Sequence, residues 1–121
     1  MSKRILIVDD NDLLRTLLAQ ALEHAGYQPI GAESGEAALE VLRRDPPDLC
    51  LVDEVMPGMG GAELIRILRE SGDERLRDLP TIGLSGWANG ERALLAAGAG
   101  NALRKPFQVG PLLENVRLLL G

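Results

Sequence analysis

Apolar residues fall along this chain in two rhythms: short unbroken runs, and longer stretches in which they recur every third or fourth position. Arg4-Ile5-Leu6-Ile7-Val8 and Leu49-Cys50-Leu51-Val52 are runs of the first kind. A continuous apolar run of this length predicts a strand covered on both faces, as in a parallel sheet. Both runs end on acid, Asp9-Asp10 after the first and Asp53 after the second, and the turn residues Met56-Pro57-Gly58 follow Asp53 closely. Residues 28–32 and about 102–104 read as shorter strands, and Thr81–Ser85, after Pro80, as a further one.

The second rhythm lies between the strands. Leu13, Leu14, Leu17, Leu18, Ala21, Leu22 and Ala25 recur at the spacing of one helical face, with Asn11 or Asp12 as the cap and Gly26 as the closing residue. Ser34 caps a second helix, which turns Ala37, Ala38, Val41 and Leu42 inward and stops before Pro46-Pro47. Gly60-Gly61 opens a third, with Leu64, Ile65 and Leu68 inward, and residues 72–79 read as a charged loop. Residues 89–97 form an Ala-rich, weakly patterned helix that Gly98 and Gly100 break. Pro111 suits the first turn of a last helix, with Leu112, Leu113, Val116, Leu119 and Leu120 inward. Five strands alternating with five helices predict an α/β doubly wound fold: a parallel sheet, right-handed crossovers and helices on both faces. Residues 1–121 read as one domain, and Met1-Ser2-Lys3-Arg4 suits a natural start.

Composition narrows the function. With 45% hydrophobic and 26% charged residues, the 121-residue chain is of ordinary globular composition and long enough for one core. Its net charge of −5, with no Lys/Arg cluster larger than a pair, argues against nucleic-acid binding, which needs a basic surface. No stretch approaches the length of a membrane span or the apolar region of a secretory signal, so a cytoplasmic, soluble protein is expected. Cys50, the single cysteine, reads as a small buried strand residue. His24, the single histidine, reads as a helix-surface residue.

In a parallel sheet all C-terminal strand ends share one edge, which is where open α/β sheets bind ligands. That edge collects Asp9, Asp10, Asp53, Ser85 and Lys105. Three converging carboxylates repel one another and raise each other's pKa values unless a cation joins them. Mg²⁺ suits such a site, because it takes oxygen ligands and is usually held by one or two carboxylates together with a phosphate. A hydroxyl at Ser85 and a point charge at Lys105 are suited to phosphoryl oxygens.

These segments together, Ile7-Val8-Asp9-Asp10-Asn11, Leu51-Val52-Asp53 with Met56-Pro57-Gly58-Met59-Gly60-Gly61, Leu84-Ser85-Gly86 and Lys105-Pro106-Phe107, resemble the receiver domain of two-component response regulators. The resemblance spans essentially the whole chain. It implies a flavodoxin-like sheet of order 2-1-3-4-5 and a phosphorelay role without enzymatic turnover. Asp53 matches the phosphoacceptor, charged by a histidine kinase or phosphotransfer protein. Asp10 matches the direct Mg²⁺ ligand (Mn²⁺ being an alternative), Asp9 a neighbour acting through metal-bound water, and Val55 the backbone carbonyl that completes the metal site. Ser85 and Lys105 match the hydroxyl and the lysine that meet the phosphoryl group. The face from about residue 89 to residue 121 would carry the output to a downstream partner.

Two positions depart from the family pattern. Ala102 stands three residues before Lys105, where a ring is usual, and Glu54 follows the acceptor, where an apolar side chain is commoner. Glu54 is expected to point to solvent, and Trp87 to sit at the rim of the site. The alternatives are a receiver-like interaction module that works without phosphate and an aspartate-nucleophile phosphohydrolase of the haloacid-dehalogenase kind. The latter places a second acid where this chain has Val55.

Overall fold

A computed structural model describes residues 2–121; Met1, and with it the expectation of a natural start, lies outside them. The elements are β1 (Arg4–Val8), α1 (Asp12–His24), β2 (Gln28–Ala32), α2 (Gly35–Arg44), β3 (Leu49–Asp53), α3 (Gly61–Arg69), α4 (Glu74–Arg77), β4 (Thr81–Ser85), α5 (Ala88–Ala97), β5 (Asn101–Arg104) and α6 (Val109–Leu120). All strand pairings are parallel, in the order β2-β1-β3-β4-β5. The fold is thus the expected doubly wound, flavodoxin-like one, with one helix more than expected. The extra element is α4, a single turn inside the segment read as a charged loop. Asp73 caps it by accepting from the Arg75 N–H at 2.9 Å, and Leu76 is buried beneath it.

Alternation along the strands divides the apolar residues between two layers. Leu6, Val8, Cys50 and Val52 face a layer made by α2, α3 and α5, with Leu42, Leu64, Ile65, Leu68 and Leu94 at its centre. Ile5, Ile7, Leu49, Leu51, Ile82 and Leu84 face α1 and α6, against Leu18, Leu22, Leu112 and Val116. Each such side chain contributes about 1.5–3 kcal/mol by leaving water.

The helix signals hold in most places. Asn11 caps α1 by accepting from the Leu14 N–H at 3.0 Å, Ser34 caps α2 through the Ala37 N–H at 3.1 Å, and Gly26 follows α1 with φ 96°. One expectation fails on α1. Leu13 and Leu17 are 69% and 52% exposed and Ala25 is exposed, while Leu18 and Leu22 carry the buried stripe. The apolar positions of this helix span more of its circumference than the sheet can cover. Among the described residues no helix is long and apolar enough to cross a membrane.

Candidate functional site

β1 and β3 are neighbours in register, Val8 opposite Val52, so their C-terminal ends deliver Asp9 and Asp53 side by side. Oxygens of Asp9, Asp10 and Asp53 lie within 4.8 Å of one another; Asp9 and Asp53 are buried and Asp10 is exposed. Asp9 is held on several sides. Its N–H donates to the Ala32 carbonyl at 3.1 Å, its Oδ1 accepts from the Asn11 N–H at 2.9 Å, and its carbonyl accepts from the Arg15 guanidinium at 2.8 Å. Its Oδ2 is buried without a hydrogen-bond partner. A buried carboxylate oxygen that accepts no hydrogen bond is costly, and a cation shared with Asp10 and Asp53 would satisfy it. The donor set, all hard oxygen, fits Mg²⁺ or Mn²⁺.

Lys105, just past β5, crosses the cleft and donates to Asp53 Oδ1, with its Nζ 3.8 Å from Asp9 Oδ2. Burial pushes the Asp53 pKa above the ordinary carboxylate range. The Lys105 hydrogen bond opposes that rise, and the Asp9 and Asp10 charges add to it. After Asp53 the chain turns at once, and the Gly61 N–H, at the start of α3, donates to the Glu54 carbonyl at 3.0 Å. A Cβ at Gly61 would overlap the Asp53 carbonyl, so the return of the chain into α3 requires glycine here.

An open cleft of about 210 Å³ lies above Asp53, lined by Glu54, Val55, Ser85, Gly86, Trp87 and Lys105. Val55 turns its side chain outward, 62% exposed. Trp87 is 58% exposed and stands at the rim, as expected. His24 is exposed, also as expected. Cys50 is fully buried in β3, and burial pushes its thiol up to about 12, so it is no nucleophile near neutral pH.

Glu54 is the correction at this site. It does not point freely to solvent: its Oε1 accepts from the Ser85 hydroxyl at 2.9 Å, and its Oε2 lies 3.4 Å from Trp87 Nε1. The sheet register explains this, because Asp53 lies opposite Leu84 and the next residues along, Glu54 and Ser85, therefore meet. Arg15, which clamps the Asp9 carbonyl and pairs with Asp12 at 2.6 Å, also escaped the sequence reading. Its spacing of three from Asp12 was the available signal.

A parallel sheet whose carboxyl edge gathers three acids, a hydroxyl and a lysine defines a class of acidic, cation- and phosphoryl-suited pockets. Comparison with known proteins then makes the class specific. Residues 5–117 match the family model described as the response regulator receiver domain. The chain is 33% identical to the polar-differentiation response regulator DivK of Brucella ovis over 123 residues, covering 100% of this chain and 98% of that protein. It is 42% identical to the response regulator MprA of Mycobacterium ulcerans over 122 residues, which is 99% of this chain but 51% of that longer protein. Among solved structures, a putative response regulator from Chloroflexus aurantiacus superposes with a TM-score of 0.93 at 33% identity, covering 99% of this chain and 98% of the other. The chemotaxis protein CheY4 of Vibrio cholerae does so at 0.89 and 26% identity, covering 98% and 99%. The chain belongs to the response regulator receiver domain family.

Proposed function

We propose that residues 1–121 form one phosphoacceptor domain in which Asp53 takes a phosphoryl group from a phosphohistidine on a partner kinase or phosphotransfer protein. The observation that carries this reading is the buried Asp9 Oδ2, which accepts no hydrogen bond, inside a pocket that also holds Asp10, Asp53 and Lys105. In the transfer, an Asp53 carboxylate oxygen forms the new P–O bond while the P–N bond to the imidazole breaks. The bonding pair leaves with the imidazole nitrogen, which is neutral once it holds one ring proton. Asp53 must be ionised to attack, and Lys105 favours that form against the effect of burial. Asp9, Asp10, Asp53 and the Val55 backbone carbonyl would hold Mg²⁺, or Mn²⁺, which when bound neutralises the carboxylates and the charge on the transferring group. The Ser85 hydroxyl and Lys105 Nζ would each bond a phosphoryl oxygen.

Phosphorylation adds roughly two negative charges at Asp53, and the surface formed by α5, β5 and α6 would present the change to a downstream output partner. The domain acts as an acceptor in a cytoplasmic phosphorelay and not as a turnover enzyme; the phosphohydrolase alternative lacks its second acid at Val55. A second reading, an interaction module that no longer uses phosphate, draws support from Glu54 already occupying the Ser85 hydroxyl. Equal partner affinity with and without a phosphoryl mimic would favour it. Incubation with acetyl phosphate and Mg²⁺, followed by intact mass, tests the main reading. The expected result is one added phosphoryl group on the wild type and none on Asp53→Ala; no gain on the wild type, or the same gain on the variant, overturns it.

A further inference from the structure

The Ser85 hydroxyl is already engaged. Its oxygen lies 2.9 Å from Glu54 Oε1 and 3.0 Å from the Trp87 carbonyl, and it accepts from the Trp87 N–H at 3.2 Å. A hydroxyl has one proton to donate, so none is left for an acceptor above Asp53 while these contacts stand. The Glu54 carboxylate spans the hydroxyl and the Trp87 indole at the mouth of the cleft. Gly90, in the first turn of α5, is pressed against the same pair: a Cβ there would overlap both Ser85 Oγ and the Glu54 carboxylate. Glycine within a helix costs about 1 kcal/mol relative to alanine, and this close approach is what requires it. Trp87 is also the residue that caps α5, its carbonyl accepting from the Glu91 N–H at 3.1 Å. A change at Ser85 therefore reaches the start of α5 directly.

We propose that Glu54 is a latch on Ser85, holding the hydroxyl away from Asp53 in the unmodified domain and releasing it when a phosphoryl group arrives. This rests on the phosphoacceptor reading above and deepens it. A carboxylate acceptor makes a charge-assisted bond, about twice as strong as a neutral one. The phosphoryl group competes for the same proton with roughly two charges against one. Release frees the Glu54 carboxylate and the contacts that Ser85 makes with the Trp87 backbone. Glu54 is a positioning residue, acting through Ser85.

The test is a double-mutant cycle in fluoroberyllate binding, read by ¹⁹F NMR on the full chain in Mg²⁺, for wild type, Glu54→Gln, Ser85→Ala and the double variant. Glutamine keeps the shape and removes the charge. Glu54→Gln is expected to tighten binding about tenfold when Ser85 is present. In the Ser85→Ala background only the loss of a nearby charge remains, and the factor falls to roughly twofold. A purely structural or purely electrostatic role for Glu54 gives the same factor in both backgrounds. That result, or no tightening at all, overturns the latch while leaving the phosphoacceptor reading in place. A wild type that binds no fluoroberyllate and gains no phosphate from acetyl phosphate overturns both.

Discussion

α3 and α5 cover the same face of the sheet and have nearly the same length, nine and ten residues, yet they are held in opposite ways. α3 buries Leu64, Ile65 and Leu68 completely, whereas the only large side chain that α5 buries is Leu94, together with Gly90 and Ala97. At about 1.5–3 kcal/mol per buried side chain, α3 is anchored by its flank. α5 is held at its ends by polar contacts. Ser85, Glu54 and Trp87 meet at its start. At its finish the Arg69 guanidinium donates to the Gly98 carbonyl at 2.9 Å, the Arg77 carbonyl at 3.1 Å and Thr81 Oγ1 at 2.9 Å. An element with few buried apolar contacts and polar tethers is the one that can shift without melting the core. On the phosphoacceptor reading proposed above, the fixed chemistry would lie on β1, β3 and α3 and the response on α5.

The largest effect that sharpens this contrast is in the anchored helix. Ile65→Ala should lower unfolding stability in urea by about 2–5 kcal/mol; a loss below about 1 kcal/mol would remove the distinction between the helices. Arg69→Ala comes next. It strips donors from three acceptors around the end of α5 and should cost about 1–3 kcal/mol. Faster hydrogen exchange in residues 88–100 than in 61–69 is the signature to look for, and equal acceleration in both segments would contradict the tether.

Mg²⁺ at ten times its Kd should stabilise the wild type by about 1.4 kcal/mol and the Asp53→Asn variant by much less, as thermal melts with and without chelator would show. Without metal the same variant should be the more stable protein at neutral pH. The sign follows from the raised folded-state pKa of Asp53. Its favourable contribution is fully present below the ordinary carboxylate pKa and is lost as pH rises through the folded-state value, so the ionised group is a net burden at neutral pH. The advantage of Asp53→Asn should shrink as pH falls toward the carboxylate range, and an advantage independent of pH would show that another cause is at work.

The acids at the strand ends were legible because a buried parallel strand shows its own end, as Val8-Asp9 and Val52-Asp53 do, and because parallel topology places such ends together. The boundaries of β1, β2 and β4 and the cap at Ser34 were legible for the same local reasons, whereas Asn11 and Asp12 were both open as the cap of α1 until the Leu14 N–H chose Asn11. α4 was not, since four residues are too few to display a period. Leu13 and Leu17 misled because α1 is apolar over more than one face, and only the packed sheet decides which stripe is covered. Glu54 needed the pairing of Asp53 with Leu84, a property of two strands together that neither run of residues carries alone.

Peptide-resolved hydrogen exchange on the chain after treatment with acetyl phosphate and Mg²⁺ tests the division between fixed and responsive halves most directly. The expected result is phosphate on the peptide containing Asp53, altered exchange from residue 86 through residue 104, and unchanged protection in β1, β3 and α3. Altered exchange spread evenly over α3 and α5, or confined to α3, would contradict it.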